Sequence, residues 1–255
     1  MVMADSRVVE VNKLSKSFDG HVVLNGITLN VTRAENLVVF GQSGTGKSVL
    51  LKCIIGLMIP DNGKIFINGQ DISLLKINEL NRIRKNIGFL FQGAALYDSM
   101  SVHDNLAFPL KRHFPERSNE EIENKIKHTL ELVSLEDAIN KMPSELSGGM
   151  KKRIGLARSI ITDPELMLYD EPTTGLDPIT SKEISVLILN LQKKLNMTSI
   201  VVTHDLICAE IIADRAIFLR EANIAFEGNI EKLINSNDPF LKNFFSHEVI
   251  SQENK

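Results

Sequence analysis

Gly41-Gln42-Ser43-Gly44-Thr45-Gly46-Lys47-Ser48 is the stretch on which the fold turns. It fits the spacing G-x-x-x-x-G-K-[ST], and its flanks are those the spacing requires. Before it, Leu37-Val38-Val39-Phe40 is a continuous apolar run, suited to a strand buried on both faces. After it, Lys47 to Leu57 reads as a helix. The glycines let the backbone bend so that several N–H groups converge on one anion. The helix N-terminus adds favourable potential for that anion. In such a loop Lys47 supplies a point charge to terminal phosphates, and the Ser48 hydroxyl is placed to ligate Mg2+.

Working outward, Leu166-Met167-Leu168-Tyr169-Asp170-Glu171 is a second doubly buried strand that ends in two acids. Charges at the end of such a strand sit where ligands bind in open α/β sheets. Asp170 is placed to hold Mg2+, directly or through water, and Glu171 is the candidate base for an attacking water. Alone, the pair also suits a solvated strand end before the turn Pro172-Thr173-Thr174-Gly175. Ser199 to Val202 is a third buried strand, with Arg215 to Arg220 and Ile224 to Phe226 to follow. Val8 to Val11, Ile27 to Val31 and Ile65 to Ile67 are shorter strands, and Ile87 to Phe91 is one interrupted by Gly88. Strands alternating with helices predict an α/β chain with a mainly parallel sheet.

The pattern turns helical from about 95 to 161. Ser118 and Glu121 fit a capping box, and Ile122, Ile126 and Leu130 form a stripe at helical spacing. We read 95–161 as a helical subdomain inserted into a core of 7–94 and 162–234, with 235–255 as a C-terminal tail, within one domain. Pro178 to Leu195 is a helix opened by proline.

Composition excludes several classes. The 255 residues carry 29 basic and 32 acidic side chains, a net charge of −3, with 43% hydrophobic and 24% charged. Disorder is excluded on that balance, and with no basic tail nucleic acid is not an expected partner. Two cysteines, Cys53 and Cys208, sit in apolar runs and make no disulfide framework, which points to reduced core thiols. The first residues, MVMADSRVVEV, do not read as a signal peptide. The longest apolar runs, Cys53–Pro60 and Ile184–Leu191, fall short of the ~18 residues that cross a bilayer.

Leu146-Ser147-Gly148-Gly149-Met150 precedes a helix, with Ser147 as N-cap and the following N–H groups as a second anion site. With this stretch the chain resembles the ATP-binding cassette (ABC) family, from about Val8 to Ile234. GQSGTGKS looks like the Walker A motif, LMLYDE like Walker B and LSGGM like the signature motif. Gln92 matches the Q-loop, Gly175-Leu176-Asp177 the D-loop and His204 the switch histidine, while Phe18 stands where the family stacks an aromatic on adenine.

The resemblance implies a P-loop NTPase: a RecA-like core, an N-terminal antiparallel β part and an inserted helical subdomain. It implies ATP and Mg2+ as cofactors, and a homodimer whose two copies sandwich two ATP molecules head to tail. Residues 41–48, Val49, Phe18 and Gln92 would bind ATP within one copy, with Ser48, Gln92 and Asp170 on Mg2+. Ser147, Gly148 and Gly149 would meet the γ-phosphate held by the other copy's Lys47. Asp177 would couple the two sites, and His204 would position the water beside Glu171. From the residues alone, Phe18 also suits a core aromatic and Gln92 a polar strand cap. Lys151-Lys152-Arg153 reads as a solvated face of the signature helix. His21, His103, His113, His128 and His247 show no metal spacing.

Met150, the stretch from Gly93 to Leu110 and Asp177-Pro178-Ile179-Thr180-Ser181 resemble Mla-type phospholipid transport ATPases. That resemblance implies a peripheral subunit on the cytoplasmic face of the inner membrane, moving phospholipid between inner and outer membranes. Its partners would be an integral permease (MlaE-like), a mammalian-cell-entry-type lipid-binding subunit (MlaD-like) and a small STAS-domain subunit (MlaB-like). Small and apolar residues from Gly93 to Val102 suit a groove for a permease helix, or ordinary packing between subdomains. The tail suits a small helix on its own domain, with Phe240, Phe244 and Phe245, rather than a clasp on a neighbour. An ABC transporter ATPase for another solute, or a soluble Fe–S assembly ATPase, are the alternatives.

Overall fold

The computed structural model describes residues 7–245. Two sheets divide the strands. The first is antiparallel: β1 (Arg7–Phe18), β2 (His21–Thr32), β4 (Asn62–Ile67) and β5 (Gln70–Asp71), in the order β2-β1-β4-β5. The second runs β10-β9-β3-β8-β7-β6. Its members are β3 (Asn36–Phe40), β6 (Ile87–Leu90), β7 (Leu166–Asp170), β8 (Thr198–Val202), β9 (Arg215–Arg220) and β10 (Asn223–Gly228). All of its pairs are parallel except β9 with β10.

Every residue of β3, β7 and β8 is buried, which is why these stretches are continuous apolar runs. Alternate side chains go to opposite faces. Leu37, Val39, Leu168, Ile200 and Val202 pack toward the antiparallel sheet and helix α1 (Lys47–Ile54). Val38, Phe40, Met167, Tyr169 and Val201 pack toward the helices on the other side. Those are α3 (Val102–His113), α4 (Asn119–Val133), α5 (Gly148–Ile160), α6 (Pro178–Leu195) and α7 (Leu206–Ile212). Helices α3 to α5 follow β6 and precede β7.

Local chemistry accounts for the element ends. Ser118 Oγ accepts from Glu121 N–H at 3.2 Å while Glu121 Oε2 accepts from Ser118 N–H at 2.7 Å, the capping box of α4. Ile122, Ile126 and Leu130 are buried as the stripe predicts. Helix α1 stops at Ile54, short of Leu57, because Gly56 takes φ +69° and Arg84 donates to the carbonyls of Ile55 and Gly56 at 3.0 and 2.7 Å.

Strand β6 is not interrupted at Gly88. A Cβ there would lie 2.2 Å from Met167 Sδ and 2.4 Å from the Ser159 carbonyl, so the glycine admits α5 and β7 to a strand that runs straight through. Helix α2 (Ile77–Arg84), the fold of Leu206–Ile212 into α7, and the short α8 (Ile230–Ile234) have no counterpart in the sequence reading. Residues 239–245 form a helix on the chain's own core. Phe245 meets Phe40 edge-on at 5.6 Å, and Phe244 meets Phe218 at 5.1 Å. His247 and the rest of the tail lie outside the described residues. Cys53 and Cys208 are both buried and free.

Candidate functional site

Parallel strands carry their C-terminal ends to one edge, and there β3 delivers the glycine loop beside the acids of β7 and the histidine after β8. At Gly46, φ is +95° and a Cβ would come within 2.8 Å of the Val23 carbonyl, so only glycine closes the loop onto α1. Thr45 Oγ1 donates to the Gln42 carbonyl at 2.8 Å and tightens the turn. Lys47 is 6% exposed and donates from Nζ to the Gly41 and Gln42 carbonyls at 2.6 and 3.1 Å, with Glu171 Oε1 at 3.7 Å. Burial pulls its pKa down against the opposing pull of Glu171 and Asp170. Ser48 Oγ donates to Asp170 Oδ1 at 2.7 Å. A hydroxyl beside a carboxylate is the oxygen donor set of a hard divalent cation. With a cationic, glycine-lined cradle next to it, these residues fit a Mg2+-bound polyphosphate.

Glu171 sits just past β7 with φ +52°, a left-handed conformation that costs a non-glycine residue free energy. Its N–H donates to the Val202 carbonyl at 2.9 Å. Its Oε2 lies 2.8 Å from His204 Nδ1 and accepts from Thr174 Oγ1 at 3.2 Å. Burial pushes the Glu171 carboxyl up, but His204, Lys47 and Thr174 together hold it below the usual glutamate range. It is therefore an ionised, oriented acceptor whose exposed histidine partner faces solvent.

One cleft of about 500 Å3 gathers most of these groups, with Asp170 joined to it through its bond with Ser48. Ser43, Gly44, Gly46, Lys47, Ser48 and Val49 form one wall, and Gln92, Glu171 and His204 another. Phe18, 41% exposed, lines the same cleft, so it is not a core aromatic. Gly41 and Gln42 contribute as carbonyls behind the loop. Gln42 and Thr45 open with Ser43 and Gly44 onto a neighbouring cleft near Arg220 and Phe240. Ser147, Gly148, Gly149 and Asp177 do not line the cleft. Ser147 Oγ caps α5 by accepting from Met150 N–H at 3.2 Å, and Asp177 caps α6 through Ile179 and Thr180 at 3.1 and 3.0 Å. Gly149 abuts Thr180, where a Cβ would come within 2.8 Å, so the signature and D-loop residues form one surface apart from the cleft.

One reading needs correction. Lys152 is not on a solvated face: it is 6% exposed and donates to the Gln92 carbonyl at 2.5 Å and the Glu171 carbonyl at 3.4 Å. Burial lowers its pKa, against the pull of Glu171 and Asp170. The signal was its spacing, since 152, 156, 159 and 160 share the buried face of α5. Of the small residues after Gln92, Ala94 is buried and packs on α5, since a Cβ on Gly155 would lie 2.9 Å from that of Ala94, while Gly93 and Ala95 are exposed. Thr174 and Val23 also line the cleft without having been singled out.

The fold and cleft define a P-loop nucleoside triphosphatase. The family model described as ABC transporter matches residues 24–174. The chain is 40% identical over 246 residues to the intermembrane phospholipid transport system ATP-binding protein MlaF of Haemophilus influenzae, covering 96% of this chain and 92% of that one. It is 40% identical over 238 residues to the probable ribonucleotide transport ATP-binding protein mkl of Mycobacterium tuberculosis, covering 93% of this chain but 66% of that relative's length. A solved dimer of the ATP-binding cassette MJ0796, in a post-hydrolysis state with ADP and Pi, aligns with TM-score 0.80 at 30% identity, over 87% of this chain and 98% of that one. The chain belongs to the ABC transporter family, as an ATPase cassette that binds ATP.

Proposed function

We propose that this cassette hydrolyses ATP to drive a transporter that moves phospholipid between inner and outer membranes. The observation that carries the reading is the 40% identity with MlaF across nearly the whole of both chains. Met150 in the signature, the feature singled out from the sequence, agrees with it.

In this reading Lys47 and the loop N–H groups hold the β- and γ-phosphates, and Phe18 stacks on the base. Ser48, Asp170 and Gln92 hold Mg2+, which when bound neutralises charge on the transferred phosphoryl group. Glu171 accepts the proton of the attacking water, and His204 fixes the carboxylate and the γ-phosphate. Ser147, Gly148 and Gly149, apart from the cleft in their own chain, complete the cradle of a second copy, and Asp177 lies between the two sites. The solved post-hydrolysis dimer supports this pairing.

The membrane-spanning part comes from other subunits: an MlaE-like permease, with an MlaD-like lipid-binding subunit and an MlaB-like STAS subunit. Among the described residues no helix is long and apolar enough to cross a membrane. The permease docks near Tyr97, which is 41% exposed, packs edge-on to Phe108 at 5.3 Å and lies under the Arg158 guanidinium. The cassette then works on the cytoplasmic face of the inner membrane. A second reading, an ABC ATPase for a different solute, rests on the equal identity to mkl, a probable ribonucleotide transport ATP-binding protein. Native pull-down of the tagged chain from membranes, with identification of copurifying subunits and bound small molecules, separates them. Integral partners carrying phospholipid are expected; partners carrying a nucleotide or another polar solute and no lipid would overturn the lipid reading.

A further inference from the structure

Helix α5 touches the loop after β6 at three successive places. Lys152 Nζ donates to the Gln92 carbonyl, Gly155 abuts Ala94, and Arg158 Nη1 donates to the Ala95 carbonyl at 2.8 Å. These positions recur every three residues, so one face of the helix lies along 92–95. Of the three, Lys152 alone also reaches Glu171, whose carbonyl it shares with the N–H of Thr174 at 3.3 Å. Its partners are main-chain oxygens, and no carboxylate lies within ion-pair distance of it among the described residues. A buried ammonium held this way fixes the backbone of two loops to one helix without a direct ion pair. Glu171 is the residue that needs it, because its φ of +52° persists only if its neighbours over-determine it.

We propose that Lys152 is a positioning residue: it ties the main chain of Glu171 and Gln92 to α5, the helix that Ser147 caps. The inference rests on the catalytic reading of Glu171. Ser147 serves the nucleotide of a second copy, and Lys152 stands five residues further along the same helix, about 7.5 Å at the helical rise. A shift of α5 when Ser147 engages the partner's phosphate is thereby passed to the Glu171 of its own chain. The orientation that Glu171 has in the single chain is in this way linked to the filling of the opposite cradle.

The test is the split between turnover and ATP binding in the complex that copurifies with the full chain. Lys152→Met keeps the unbranched apolar stem and removes the terminal ammonium with all its N–H groups. It is expected to lower kcat about tenfold to a hundredfold, as a misplaced base does, with ATP Kd within about threefold of wild type. Lys152→Arg, which restores donors, recovers most of the turnover. Lys151→Met, removing a charge from the exposed neighbour, leaves kcat unchanged. A merely structural Lys152 would lower stability while leaving kcat per folded molecule intact, and that result overturns the proposal, as does a parallel loss of affinity and turnover. Should Lys152→Met not fold, Lys152→Gln, one bond shorter and able to reach only one of the two carbonyls, decides: reduced kcat with retained Kd supports the tether, and wild-type kcat overturns it. Glu171→Gln is assayed beside them. If it turns over like wild type, the catalytic reading falls; if it is inactive while Lys152→Met is fully active, the Lys152 proposal alone falls.

Discussion

Glu171 and Lys47 lie 3.7 Å apart, and variants should separate the roles proposed for them. Glu171→Gln preserves size and removes the proton acceptor. Hydrolysis is expected to fall about 100- to 10,000-fold while equilibrium ATP binding is retained, read by phosphate release beside nucleotide titration. Wild-type phosphate release would remove Glu171 from its role. Lys47→Ala removes the buried charge at the cradle, and ATP affinity is expected to drop about tenfold or more, as a lost charge-assisted contact implies. Unchanged affinity would place the phosphates elsewhere. Lys47 was legible from the glycine spacing and its flanks, whereas the acids alone also suit a solvated strand end, and Glu171 was legible only beside that loop. Lys152 was not. In Lys151-Lys152-Arg153 the charges look alike, and only the helical register, set by the packing of Leu156 and Ile160, turns one of them inward.

Elements show a similar division. The strands of the parallel sheet were legible because both faces are buried, whereas α2 was not, since Ile77–Arg84 is mostly polar and buries Leu80 alone. The α4 cap was legible from two residues. Ser118→Ala is expected to cost about 1 kcal/mol, read from chemical denaturation midpoints; no change would show the cap to be replaced by water. The joint between the sheets depends on Arg215, which pairs with Glu35 at 2.6 Å and Glu227 at 2.5 Å and donates to the Asn30 carbonyl. Burial raises the Glu35 pKa, but its bonds from Arg215 and Thr32 bring it below the ordinary value of 4.5. A depressed folded pKa contributes stability that is fully present above that ordinary value and is lost as pH falls through the lower folded one. Glu35→Gln should therefore be less stable than wild type at neutral pH, with the gap closing in acid. A gap that stays constant with pH would show that the charge of Glu35 does not matter.

At the scale of the molecule, the parallel sheet collects the glycine loop, the acids and His204 at one edge, while the antiparallel sheet brings Phe18 over it. Ser147 and Asp177 stand outside that cleft. The sequence motifs named them, but one chain alone does not show what an exposed anion cradle is for, because in the proposed pairing its ligand is held by another copy. Ser147→Arg should leave ATP binding intact and abolish hydrolysis in the assembled complex; retained hydrolysis would mean the cradle is not used. The most direct test is sedimentation of the Glu171→Gln chain with and without ATP and Mg2+. ATP should convert it to a dimer, and adding Ser147→Arg should return it to a monomer. A mass that ignores ATP, or a dimer that survives the arginine, would contradict the shared nucleotide site.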